Sequence, residues 1–231
     1  LAVAAFGVAG CGGGSGLPAK AVVDVAGNVV SKTMFDHWVS VAAVRDFELM
    51  PTRPVPRWVI PDPPRYTACI AHLASTAGAH NALSSTAKLK VQCEQNYQAL
   101  RVQVLRALIT AEWFTAEAHK RGLKATDSAV RQRYERVKTT QFPSEAAFQR
   151  YLSYTGETIA DQMFRSKIKV LSAELEQSIM GGRTGRARQQ AMSTFITEIQ
   201  KWVARTDCRT GYVVPGCKQY KGSAPIEGTS L

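Results

Sequence analysis

The sequence predicts a mainly α-helical domain with a small β-sheet built from its N-terminal and C-terminal strands. Three observations carry that prediction. Apolar residues recur at helical spacing from Thr33 almost to the C-terminus, and Ser, Thr, Asp and Gly punctuate the pattern where helices should start and stop. Only two short stretches alternate like strands, around Val23–Val25 and around Tyr212–Val214. Hydrophobic content of 45% and charged content of 20% over 231 residues describe a folded chain with one core and not a disordered one.

The elements follow in order. Val23 and Val25 alternate with Asp24, and Gly27-Asn28 supplies turn residues, so a short strand, a tight turn and a second strand of one or two residues are expected. Phe35, Trp38, Val39, Ala42 and Ala43 mark a helix from Thr33 to Phe47. Six prolines between Met50 and Pro64 exclude a helix interior there and predict an extended loop pinned by Trp58. A short helix over Arg65–Ala77 carries Cys69, and the small residues Gly78–Ser85 connect it to a long helix over Thr86–Arg121. Its stripe is Tyr97, Leu100, Val104, Leu108 and Ala111, and Gly122 ends it. Thr126 or Asp127 caps a helix running to about Lys138, and Pro143-Ser144 opens another that Gly156 breaks. Glu157–Met180 and Arg186–Ala204 complete the helices, the last with Phe195, Ile199 and Trp202 on one face. Gly181–Arg186 lacks phosphate-loop spacing and a preceding strand, so it reads as a hinge.

The first ten residues carry no charge and are almost all small or apolar, like the end of a secretory signal. Val8-Ala9-Gly10-Cys11 resembles the bacterial lipobox, which implies cleavage before Cys11 and diacylglycerol on its thiol. Gly12–Gly16 would then be a flexible tether. The expected organisation is a signal remnant over 1–10, a lipidated tether over 11–20 and a helical domain over 21–180. A C-terminal helix and strand over 181–220 pack back on that domain, and a disordered tail follows over 221–231. Localisation would be extracytoplasmic, with the chain lipid-anchored to the cell membrane. The net charge of +11 suits anionic headgroups or wall polymers; nucleic acid is not an expected partner outside the cell.

Besides Cys11, four cysteines remain: Cys69, Cys93, Cys208 and Cys217. An even remainder in an oxidising compartment implies two disulfides with three possible connectivities, of which the sequence-local pairing Cys69–Cys93 and Cys208–Cys217 is favoured. Zinc is disfavoured, because no CxxC pair occurs and the histidines (37, 72, 80 and 119) are scattered. Metalloprotease, nucleophile-elbow, paired-carboxylate and nucleotide signatures are absent from the sequence, so neither an enzyme nor a cofactor is expected.

Three segments resemble the N-terminal domain of the SurA, PrsA and trigger-factor-like peptidyl-prolyl isomerase chaperones. Val25-Ala-Gly-Asn-Val-Val-Ser-Lys-Thr-Met-Phe35 is similar to that family's opening strand, turn and helix start. Leu105 to Asp127, with Ala118, Gly122, Leu123, Thr126 and Asp127 in place, resembles the family's long helix and its exit. Phe142-Pro-Ser-Glu-Ala-Ala-Phe148 through Leu152, Gly156 and Thr158 resembles the following helix pair. The family's parvulin domain, near 100 residues in size, would follow Met180, and Gly181–Leu231 is too short to hold it. The resemblance therefore implies ATP-independent holding of unfolded or partly folded exported polypeptides without isomerase activity. It also implies that the tail strand returns to pair near Val22–Val25. Candidate peptide-binding residues are Phe35, Trp38, Trp113 and Phe114, each of which would otherwise be core. The alternative is a structural envelope lipoprotein that binds wall polymer or a protein partner. An exposed apolar groove favours the first reading, and a flat basic face the second.

Overall fold

A computed structural model describes residues 17–45, 54–76 and 85–222. The protein is mainly helical, with a three-stranded antiparallel sheet in the order β2-β1-β3. Strands β1 (Ala21–Val25) and β2 (Asn28–Ser31) form a hairpin through Ala26 and Gly27, both at positive φ, and the Gly27 N–H donates to Asp24 Oδ1 at 2.6 Å. The turn therefore sits one residue earlier than expected, and β2 has four residues, because Val30 is drawn fully into the core. β3 is Thr206–Cys208, paired with Val23–Val25.

The C-terminal strand is thus earlier than the alternation of Tyr212–Val214 suggests. Gly211 and Gly216 take positive φ and the Cys208–Cys217 disulfide closes this stretch into a loop, so no ladder can continue through it. Both disulfides, Cys69–Cys93 and Cys208–Cys217, have the sequence-local pairing.

The helices are α1 (Lys32–Arg45), α2 (Thr67–Thr76), α3 (Thr86–Lys120), α4 (Asp127–Gln141), α5 (Glu145–Thr155), α6 (Ile159–Met180) and α7 (Gly185–Gln200). Side-chain caps set five of the starts: Ser31, Ser85, Thr126, Ser144 and Thr158 each accept a backbone N–H of the first turn, and Thr158 with Asp161 completes a reciprocal capping box. α5 ends on Gly156 in the left-handed conformation. The last helix stops at Gln200, and Val203–Arg205 forms a 3-10 turn that delivers the chain to β3.

The main core lies between the sheet, α1 and α3: Val22, Val23, Val25 and Val30 meet Phe35, Trp38, Leu105, Leu108, Ile109 and Trp113. Two satellite clusters extend it, one of Ala118, Leu171, Leu175, Ile179 and Met180, the other of Tyr134, Phe148 and Leu152. In the proline-rich stretch, Arg57–Val59 is a 3-10 turn. Val59 is its buried residue, while Trp58 is half-buried and stacks on His72 with ring centroids 3.9 Å apart. Among the described residues no helix is long and apolar enough to cross a membrane. The lipobox with Cys11, the Gly78–Ser84 connection and the tail beyond 222 lie outside the described residues.

Candidate functional site

α7 is the least covered helix after α2. Ile199 is its only buried residue, although Ala187, Ala191 and Phe195 form a stripe at i, i+4 and i+8. That stripe faces a concavity of about 400 Å³ shared with Ser178 and Ile179 of α6, Arg183 of the following turn and Arg121 at the end of α3. Met192 and Ile196, each one residue further round the helix, stand 38% and 49% exposed. The α7 apolar surface is therefore wider than the stripe it can bury.

The cations on the rim are held in place. Arg121 Nε donates to Glu117 Oε1 at 2.7 Å, and Arg183 donates to the Ile179 carbonyl. On the opposite side of the hairpin Arg188 pairs with Glu176 at 3.1 Å. The groove is mixed, with Ile179, Ala191 and Phe195 beside Ser178, Gln190 and Thr194 under a cationic rim, and it can take an apolar segment together with polar contacts.

α3 positions this groove through two residues one turn apart. Trp113 Nε1 donates to Thr206 Oγ1 at 2.8 Å, and that hydroxyl donates to the Trp202 carbonyl at 2.7 Å. Glu117, fully buried, accepts Trp202 Nε1 at 3.1 Å as well as Arg121. Lys120 stands 3.5 Å from Glu117 and 3.4 Å from Glu198. The C-terminal end of α7 is thus tied to α3 by polar bonds, while its N-terminal half has no buried residue.

The four expected peptide-binding residues separate cleanly. Phe35, Trp38 and Trp113 are buried, which corrects the reading that they offer a binding surface. Phe35 packs edge-on against Tyr212, 5.4 Å between centroids. Trp38 lies against Phe164 at 5.9 Å with the Arg165 guanidinium over its ring. Trp113 spends its one polar atom on Thr206. Phe114 is half-buried and stacks on Phe195, centroids 6.4 Å apart, behind the α7 groove. Of the four, it alone supports the groove. Met192 and Ile196 were not singled out from sequence. Their signal was an apolar arc on α7 too wide for one contact face.

A second apolar cavity of about 260 Å³ lies between α1, α2, α3 and the proline-rich stretch, lined by Trp58, Val59, Tyr66, Tyr97 and Leu100 beside the Cys69–Cys93 bridge. α2 itself has no buried residue, so that bridge is its main attachment to α3.

One buried polar cluster sits where α1 meets the α5–α6 turn. Glu157 accepts from Arg165 at 3.0 Å, Tyr151 at 3.3 Å and Gln162, and Arg45 stands 3.5 Å away. Beside it His37 Nε2 lies 2.9 Å from Asp161. Burial pushes the Asp161 carboxyl upward, but the Thr158 hydrogen bonds and His37 together outweigh it and hold the group below its ordinary value. The Arg45 and Arg165 guanidiniums balance the Glu157 carboxylate, so this cluster ties α1 to the α5–α6 turn as a buried ion network. His119 is exposed near the end of α3. No grouping of three or more His, Cys, Asp and Glu that could hold a metal occurs among the described residues. Compared with known proteins, the chain matches no family model, no curated protein and no solved structure.

Proposed function

We propose that this chain is a membrane-anchored, ATP-independent chaperone that holds unfolded or partly folded exported polypeptides, a SurA- and PrsA-like lipoprotein. The observation that supports it most is the α7 concavity: Ile179, Ala187, Ala191 and Phe195 line it beside the exposed Met192 and Ile196. Its volume of about 400 Å³ lies within the size range of ligand sites. A client placing two apolar side chains there gains about 3–6 kcal/mol, before the cost of ordering the client. That leaves affinity in about the millimolar range or weaker per contact, weak enough for release without a nucleotide. Such holding works by mass action, lowering the free concentration of aggregation-prone segments.

The test is suppression of aggregation of an unrelated unfolded protein by the full chain carrying Cys11→Ser. Met192→Asp with Ile196→Asp, both exposed positions, should abolish suppression while leaving the helical circular dichroism unchanged. A proline cis/trans assay on a short peptide should match the uncatalysed rate. The net charge of +11 supports the alternative, a structural envelope lipoprotein. Failure to suppress aggregation, combined with retention on purified wall polymer, would favour it.

A further inference from the structure

We propose that the open end of the β-sheet is the membrane-facing surface of the protein, where Lys20, Lys32 and Arg209 take the phosphates of anionic lipid headgroups. The proposal rests on the reading of Cys11 as the lipidated residue. A concavity of about 340 Å³ lies at this end, lined by Ala19, Lys20, Lys32, Thr33, Arg209 and Tyr212 among others. Three cations and no carboxylate line it. Asp36 pairs with Lys32 on an exposed face, where such a pair is weak and exchanges readily with another anion.

Arg209 gives the concavity its position. Its Nε donates to the Ala21 carbonyl at 2.6 Å and its Nη2 to the carbonyls of Pro18 and Ala19 at 2.7 and 3.1 Å. The Arg209 N–H also donates to the Val22 carbonyl, and the Lys32 N–H to the Lys20 carbonyl. The segment leading to the anchor is therefore clasped to the sheet from both sides. From Ala21 back to Cys11 is ten residues, which span at most about 35 Å fully extended. An anchored chain cannot carry this end of the sheet further than that from the bilayer. The Arg209 clasp has satisfied the backbone carbonyls that would otherwise need water, so the surface can approach headgroups without stranding them. Lys20 and Lys32 are exposed, and the carboxylate beside them is Asp36, in its exposed pair with Lys32. In the field of an anionic leaflet each such cation favours this orientation over one that turns the acidic sheet positions Asp24 and Asp207 toward the lipid.

The experiment uses the full chain carrying Cys11→Ser, so that binding does not depend on acylation, and measures sedimentation with phosphatidylglycerol and with phosphatidylcholine vesicles. Binding is expected to the first and not the second. Lys20→Ala with Lys32→Ala should weaken it about thirty-fold, while Arg131→Ala with Arg136→Ala on α4 should weaken it far less. Equal losses from the two pairs would mean that net charge alone is read and would overturn the proposal, as would no loss from the first. Soluble polyglycerol phosphate displacing the protein from vesicles at equal phosphate would assign the cations to wall polymer and overturn it too. Mass analysis of the membrane-fraction chain reads acylation separately, so failure of the Cys11 reading and failure of the headgroup surface are distinguishable.

Discussion

Replacing Glu117 by leucine removes a fully buried carboxylate whose two oxygens serve three donors: Arg121, Trp202 and the more distant Lys120. Arg121 and Lys120 are 33% and 55% exposed, so both can turn to water and their loss costs little. Trp202 cannot. Its indole N–H is buried, and an orphaned donor costs about 1–3 kcal/mol. Adding about 1 kcal/mol for the half-exposed, screened pair with Arg121 puts the destabilisation near 2–4 kcal/mol. For a domain of this size that lowers Tm by roughly 4–16 °C. Glutamine keeps an acceptor for Trp202 and forfeits only charge, so Glu117→Gln should fall less than half as far. Urea unfolding followed by far-ultraviolet circular dichroism reads both variants, and amide exchange should show α7 opening ahead of α3 in the leucine variant. A Glu117→Leu chain within 0.5 kcal/mol of the parent would refute the idea that this carboxylate holds the C-terminal segment on α3.

Other consequences are as specific. Removing the Cys69–Cys93 bridge, which spans 24 positions, should cost about 3 kcal/mol, and limited proteolysis should cut around α2 first because that helix buries no residue. Burial raises the Glu112 carboxyl above its ordinary value, and Lys167 only partly offsets it. A carboxyl raised in the folded state stabilises below its unfolded pKa, and that stability is lost as pH rises through the folded value. Glu112→Gln should therefore raise the urea midpoint at neutral pH and leave it unchanged in acid; a gain of equal size at both would show that the charge is not the cost. Cys11→Ser should let a high-salt wash, which screens headgroup contacts, release the chain from the membrane, and retention after that wash with unchanged mass would sink the anchor.

Local chemistry made much of the fold legible. Helix starts at Ser85, Thr126, Ser144 and Thr158, and stops at Gly122 and Gly156, depend on caps and backbone conformations a few residues across, which any reader of the chain can locate. The disulfide pairing was legible for the same reason: each bridge closes a short loop. β3 was misplaced because Thr206-Asp207-Cys208 has no alternation of its own. It is a strand only because Val23–Val25, about 180 residues earlier, offers it a ladder.

Which aromatic residues face inward was equally beyond local pattern. Phe35, Trp38 and Trp113 carry the same apolar signature whether a client or the sheet covers them, and the sheet does. Glu117 reads as an ordinary polar helix position until Trp202 closes over it. Periodicity along the chain thus determined where helices run and which sides of them are apolar. Burial depends on what arrives from distant segments, so the packed tertiary structure alone decided that α1 and α3 spend their apolar faces on the core while α7 keeps part of its own in water.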